Sequence, residues 1–247
     1  MFSPLEQFEI EIYRPLSFFG IFDISLTNSV FIQFFVLFCF FLIFFFAIKK
    51  VSFIPTPVQY VAELSYSFVF DMIKVQSGLR GQRFFPLFFL TFFFIFFCNL
   101  LGLTSYAFTI TSHLIITYTL AAVFFIAFTL LGFWVNGIYF LKLFVPKGVP
   151  VVILPLVVVI EIASYFIRPI SLSVRLFANM LAGHTLLHII GSFTIILFKD
   201  GLDFVASIAV FLLIALTILE IGIAFIQAYV FVILLAIYLN DSLNPGH

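Results

Sequence analysis

Seven side chains in the second half of this chain have the types and spacing to handle protons inside an apolar environment: Arg175, Glu220, His184, Asn179, Gln227, Glu161 and Asp241. Carboxylates exchange protons when burial disfavours their charge, and histidine titrates near neutrality. Arginine keeps its proton at any physiological pH. Arg175 can therefore serve as a fixed positive barrier or counter-ion, but not as a carrier. It sits in Ser171-Leu-Ser-Val-Arg175-Leu-Phe-Ala-Asn179-Met-Leu-Ala-Gly183-His184, inside an apolar stretch long enough to cross a bilayer. A charge at that depth costs roughly 2.5–3.5 kcal/mol on insertion scales. Snorkelling to a headgroup suits a helix end better than this position.

The spacing is ordered. Glu161, Arg168 and Arg175 follow one another by seven, and Glu220, Gln227 and Asp241 by seven and fourteen. Sevens fall on nearly one helical face, drifting about 20° per heptad. Folding the two arms back at Gly201 brings Arg175 level with Gln227, Glu161 with Asp241, and His184 with Glu220. Glu220 and Asp241 then lie about 31 Å apart along a helix, close to the hydrocarbon thickness. Protonatable groups near opposite faces, split by a fixed positive charge, describe two half-channels that do not connect. His184 lies half a turn round from Arg175, so its meeting with Glu220 calls for local bending or rotation.

Neighbouring residues add less. Ala178, Ala182 and Gly183 near Arg175, and Ala224 and Ala228 near Gln227, let a backbone approach closely, whether from this chain or another. His184 and His188 are spaced like a metal or haem ligand pair, but no Cys, acid or third histidine completes a site. No metal and no cofactor is expected. Arg168 beside Pro169 reads as a structural residue near a helix kink, and His113 as a solvated or interfacial one.

Composition supplies the setting. Of 247 residues, 64% are apolar and only 9% charged, against about 25% charged in soluble domains. Mean hydropathy is +1.31. Apolar runs of helical length, rather than short alternating strands, point to an all-α integral membrane protein. Zero net charge implies no nucleic-acid partner. Cys39 and Cys98 lie inside apolar runs and support no disulfide framework. The 41 phenylalanines are read as codon bias rather than an aromatic array. The N-terminus has neither a signal-peptide nor a transit-peptide pattern, so an organellar origin would mean synthesis inside the organelle.

About five membrane-embedded helices and one amphipathic surface helix are expected. A polar arm covers residues 1–28, and a first span runs from about Val30 to Ile48. Thr56-Pro57 pairs a capping residue with proline at the first helical position and opens an amphipathic helix over 57–78, ended by Gly78. Further spans run at about Phe84–Leu103 and Leu114–Phe140, separated by a polar loop, and a second loop carries Lys142, Lys147 and Pro150. Residues 151–239 then form a long tilted antiparallel hairpin, kinked near Pro155 or Pro169 and turned at Lys199-Asp200-Gly201. One membrane domain over 1–247 accounts for the chain. Lys49, Lys50, Lys74, Arg80, Arg83, Lys142 and Lys147 fall on one side of five spans, Arg14 and Lys199 on the other. The positive-inside rule then puts the N-terminus outside and the C-terminus inside.

Arg175-Leu-Phe-Ala-Asn179-Met-Leu-Ala-Gly-His184, Leu219-Glu220 and Ile226-Gln227-Ala-Tyr-Val-Phe231 resemble the a-subunit family of F-type ATP synthases. Tyr238-Leu-Asn-Asp241, Asn99-Leu-Leu-Gly102-Leu and the mitochondrial- and plant-like opening Ser3–Ile10 also fit, and the likeness covers essentially the whole chain. Thr104-Ser105 stands where many members carry proline. The resemblance implies a proton-channel stator subunit that performs no bond chemistry. Its partners would be a ring of c subunits facing Arg175, the peripheral stalk and other membrane subunits. It further implies His184, Glu220 and Asn179 in the half-channel open to the intermembrane space, and Glu161 and Asp241 in the matrix one. The location implied is the mitochondrial inner membrane, histidine at 184 being the mitochondrial form. The alternative is a secondary transporter with a buried charge site, which would show internal repeats and paired broken helices; a haem-bearing respiratory anchor is a further one.

Overall fold

The computed structural model describes residues 12–14, 17–18, 22–23, 25–49, 55–104, 109–145 and 153–244. Near the N-terminus two short antiparallel pairs form, β1 (Ile12–Arg14) with β4 (Leu26–Thr27) and β2 (Ser17–Phe18) with β3 (Phe22–Asp23). Most of the expected N-terminal arm, Lys50 and the loop with Lys147 and Pro150 lie outside the described residues. The main elements among the described residues are helices: α1 (Asn28–Lys49), α2 (Pro57–Gly81), α3 (Phe85–Gly102), α4 (Leu114–Asn136), α5 (Leu154–Lys199) and α6 (Asp203–Leu243). Short 3-10 segments at Gln82–Phe84 and Gly137–Phe144 extend α3 and α4, and a third covers Ile110–Ser112. Among the described residues, five helices are long and apolar enough to cross a membrane, and α2 is the sixth, more polar one. The chain is an all-α multi-pass membrane protein.

Local chemistry explains the helix ends. Thr56 accepts the Gln59 amide at 3.4 Å with Pro57 just inside α2, the capping arrangement the sequence suggested. Gly78 does not end α2: it takes φ 61 and the helix resumes to Gly81, because glycine tolerates that excursion without a Cβ clash. At the C-terminus of α5, Gly201 (φ 73) lets its own amide reach Phe198 O at 3.3 Å and the Leu202 amide reach Leu197 O at 3.1 Å. That pair of bonds is a Schellman closure, and it turns the chain into α6. Lys199 closes α5 and Asp203 opens α6, each matched to the helix dipole.

With 46 and 41 residues, α5 and α6 measure about 69 and 62 Å at 1.5 Å per residue, twice the ~30 Å hydrocarbon layer. Both must run obliquely to the membrane normal. Pro155 causes no break, since it falls in the first turn where a missing N–H is harmless. Pro169 sits inside α5 and forfeits one backbone bond, yet the helix continues through it. Hydroxyls within the spans return to the preceding turn, as Thr91 to Leu87 O, Thr129 to Phe125 O and Thr194 to Ile190 O. No water in a bilayer core could satisfy them otherwise.

The chain divides into two compact units. The first comprises Met1–Leu42, Phe94–Leu114 and Leu176–Ala228; the second Ile43–Phe93, Ile115–Arg175 and Tyr229–His247. In the first, Ile95, Cys98, Ile110, Leu176, Ala224 and Ala228 are buried, and Phe96 meets Phe225 edge-on at 6.0 Å. In the second, Phe88, Phe140 and Phe231 are fully enclosed, and Phe88 lies 6.1 Å from Phe128. Lipid tails are as apolar as these rings, so interlocking dispersion contacts rather than hydrophobic gain must hold the helices together.

Candidate functional site

The first unit contains a cavity of about 270 Å³ lined by Leu103 just after α3, by Asn179 to His184 of α5 except Leu181, and by Leu216, Leu219, Glu220 and Ile223 of α6, with Leu186 beyond. His184 is 5% and Glu220 7% exposed, so both point inward. His184 shares this cavity with Glu220. Half a turn from Arg175, it faces the interior while Arg175 is exposed on its own unit's surface.

Glu220 is held by shape. A Cβ on Gly183 would come within 2.7 Å of Glu220 Oε1, so glycine there leaves room for the carboxyl group. Among the described residues, neither carboxyl oxygen of Glu220 has a hydrogen-bond partner, and neither does Nε2 of Gln227. Asn179 Nδ2 donates to Gln227 Oε1 at 3.0 Å. Gln227, expected level with Arg175, thus has its carbonyl taken by an α5 residue from the turn nearer Gly201. Asn99, on α3 of this unit, is completely buried with both amide atoms likewise unpartnered among the described residues. Its signal was present in Asn99-Leu-Leu-Gly102, but spacing alone gave it no role. Orphaned buried polar atoms are costly unless water or a proton reaches them.

The second unit carries a different arrangement. Arg168 Nη1 donates to Asp241 Oδ2 at 2.8 Å, and Nη2 lies 3.8 Å from Glu161 Oε1. The guanidinium also lies over the rings of Tyr165 and Tyr238, at 5.5 and 5.3 Å from their centroids. Glu161 and Asp241, expected level with each other, are here tied through Arg168. Arg168, read from the sequence as a structural residue near the Pro169 kink, has acidic partners that the reading did not name. Its place in the Glu161–Arg168–Arg175 heptad series was the available signal, as was the three-residue spacing of Tyr165 to Arg168 and Tyr238 to Asp241, which puts each pair on one helix face.

Arg175 belongs to this second unit and differs from Arg168. It is exposed, and among the described residues of its unit no carboxylate stands within ion-pair distance of it. Exposed Val174 and Ser171 flank it. In the first unit Ala178 and Ala182 of α5 are exposed too, while Ala224 and Ala228 of α6 are buried. The α6 alanines serve packing inside the chain, and the α5 alanines leave a shallow surface open to another helix.

A model of the ATP synthase A chain family matches residues 29–240. The chain is 48% identical over 245 residues to the ATP synthase subunit a of Pelagibacter ubique (strain HTCC1062), covering 99% of each. It is 46% identical over 249 residues to that of Rhodopseudomonas palustris (strain BisB18), covering all of both chains. Identity to the ATP synthase subunit a of Acanthamoeba castellanii is 45% over 248 residues, again covering both chains completely.

Proposed function

This chain belongs to the ATP synthase A chain family, and on that premise we propose that it is the membrane stator subunit that passes protons to the rotor of an F-type ATP synthase. A proton enters at Glu220 and His184, along a path bordered by Asn179 and Gln227, and neutralises a carboxylate on a ring of c subunits. The ring turns, and the site later releases its proton toward Glu161 and Asp241. Arg175 holds the deprotonated ring carboxylate and blocks a direct leak. Neutralising the carboxylate before it faces lipid removes a desolvation cost of several kcal/mol. A membrane potential of 100 mV supplies about 2.3 kcal/mol per charge that crosses it, roughly four times RT, enough to bias rotation. The peripheral stalk and other membrane subunits would hold the chain still against the ring.

The observation that carries this reading is the contrast between two arginines on α5. Arg168 meets two acids, whereas Arg175 is exposed with no carboxylate of its own unit in reach among the described residues. A guanidinium near the middle of a span needs an anionic partner, and a second chain can supply one. The exposed Ala178 and Ala182, on the same helix, fit close approach of that chain. The Acanthamoeba castellanii relative and histidine at 184 support a mitochondrial inner membrane. On this reading the N-terminus lies in the intermembrane space and the C-terminus in the matrix.

The test is Arg175→Ala in the assembled complex. Proton-driven ATP synthesis should be lost while ATP hydrolysis by the catalytic head persists. Synthesis retained at the parental rate would overturn the rotor role.

A further inference from the structure

We infer that Arg168 is the positioning residue of the release-side acids, holding Asp241 and Glu161 in place while itself clamped between Tyr165 and Tyr238. The inference deepens the proposed function and rests on it. It starts from how completely the guanidinium is used. A guanidinium offers five N–H donors around its edge and two flat faces. One edge nitrogen serves Asp241 at 2.8 Å and another approaches Glu161 at 3.8 Å. Two tyrosine rings lie near the group, both within the roughly 6 Å at which a cation and a π-face attract.

The clamp is itself anchored. The Thr129 hydroxyl donates to Phe125 O at 2.7 Å, so the Tyr165 hydroxyl, 2.7 Å from Thr129 Oγ1, must donate to it. Tyr165 also packs against Phe125 at 4.8 Å and Phe144 at 5.4 Å. Three helices thus converge on Arg168: α4 through Thr129 and Phe125, α5 through Tyr165 and Glu161, and α6 through Tyr238 and Asp241.

The two acids are held unequally, and that gives the arrangement direction. Asp241 has the short contact and a side chain 27% exposed; Glu161 has the long one and is 34% exposed. Asp241 is the fixed station, and Glu161 is the looser one that turns toward water. Arg168 holds Asp241 and keeps Glu161 near it, so a proton leaving Asp241 finds Glu161 beside the same guanidinium. Lysine has the charge but neither the flat faces nor the fork.

The experiment uses assembled ATP synthase in membrane vesicles, with passive proton flux expressed per assembled complex. Arg168→Gln should slow flux about tenfold, the scale of one charge-assisted hydrogen bond, and Arg168→Lys should recover only part of it. Tyr238→Phe should match the parent, while Tyr238→Leu should slow flux about threefold, as expected from one cation–π contact. Because Arg168 acts through Asp241, the double variant Arg168→Gln/Asp241→Asn should be no slower than the slower single one. If Arg168→Gln does not assemble, the two Tyr238 variants carry the test. Parental flux in Arg168→Gln, equal flux in Tyr238→Leu and Tyr238→Phe, or losses that multiply in the double variant would each overturn the inference. Arg175→Ala in the same vesicles separates the two ideas: parental flux there condemns the channel reading, whereas flux that responds to Arg175 but not to Arg168 condemns only the clamp.

Discussion

The two units treat their acids in opposite ways. In the second, Asp241 and Glu161 share a guanidinium and two tyrosine rings frame it. In the first, Glu220 is more deeply enclosed, yet no donor reaches either carboxyl oxygen among the described residues. A carboxylate supplied with donors stays where it is put. One buried without them can be satisfied only by water or by taking up a proton. The contrast suits a path whose entry must capture protons from a dilute source and whose exit must hold its acids in register. It also shows that burial and charge pairing are separate levers: the better-paired acid is here the more exposed one.

The sharpest way to break this contrast is to remove the unpaired acid. Glu220→Gln keeps the volume and abolishes proton transfer at that atom, so flux should fall about a hundredfold, the usual yield of a positioned acid–base group. The subunit should stay in the complex, which immunoprecipitation of the assembled enzyme would check; unchanged flux would remove Glu220 from the path. A smaller effect is expected from crowding it. Gly183→Ala places a methyl where Glu220 Oε1 would lie 2.7 Å away, displacing the carboxyl group and slowing flux about tenfold, since small-to-large changes in packed sites cost about 1–3 kcal/mol. Flux equal to the parent would mean that Glu220 swings aside without consequence. In the second unit, Tyr165→Phe keeps the ring over Arg168 and deletes only the bond to Thr129. It should cost about 1 kcal/mol of stability, read as a lower dissociation temperature of the subunit in detergent, with flux within about twofold of the parent on the same scale.

Span positions were legible because bilayer thickness converts apolar run length directly into helices. Val30–Ile48 was read and Asn28–Lys49 is found; the Thr56-Pro57 start of α2 was read from two residues. The turn at Gly201 was legible too, as was the meeting of His184 and Glu220 in one cavity. What register could not give is reach. Counting back from Gly201 says which residues are level along two helices, but side-chain length and rotation decide which of them touch. Asp241 pairs with Arg168 because arginine is long enough to cross turns that Glu161 is not, and Gln227 takes the shorter span to Asn179. The tyrosine clamp went unread because aromatic residues are so common in this sequence that the three-residue spacing of two of them to Arg168 and Asp241 did not stand out. Gly78 was read as an end since sequence shows a breaker but not whether the helix resumes after it.

On the proposed function, the cavity lined by Glu220 and the cluster holding Asp241 open to opposite sides of the membrane without connecting. Side-specific thiol labelling tests it directly. With Cys39 and Cys98 replaced by serine, single cysteines at Leu216, which lines the cavity, and at Glu161, beside Arg168, are exposed to a membrane-impermeant reagent from each side in turn. Leu216→Cys should react from one side only and Glu161→Cys only from the other. Reaction of either cysteine from both sides, or of both from the same side, would contradict the account.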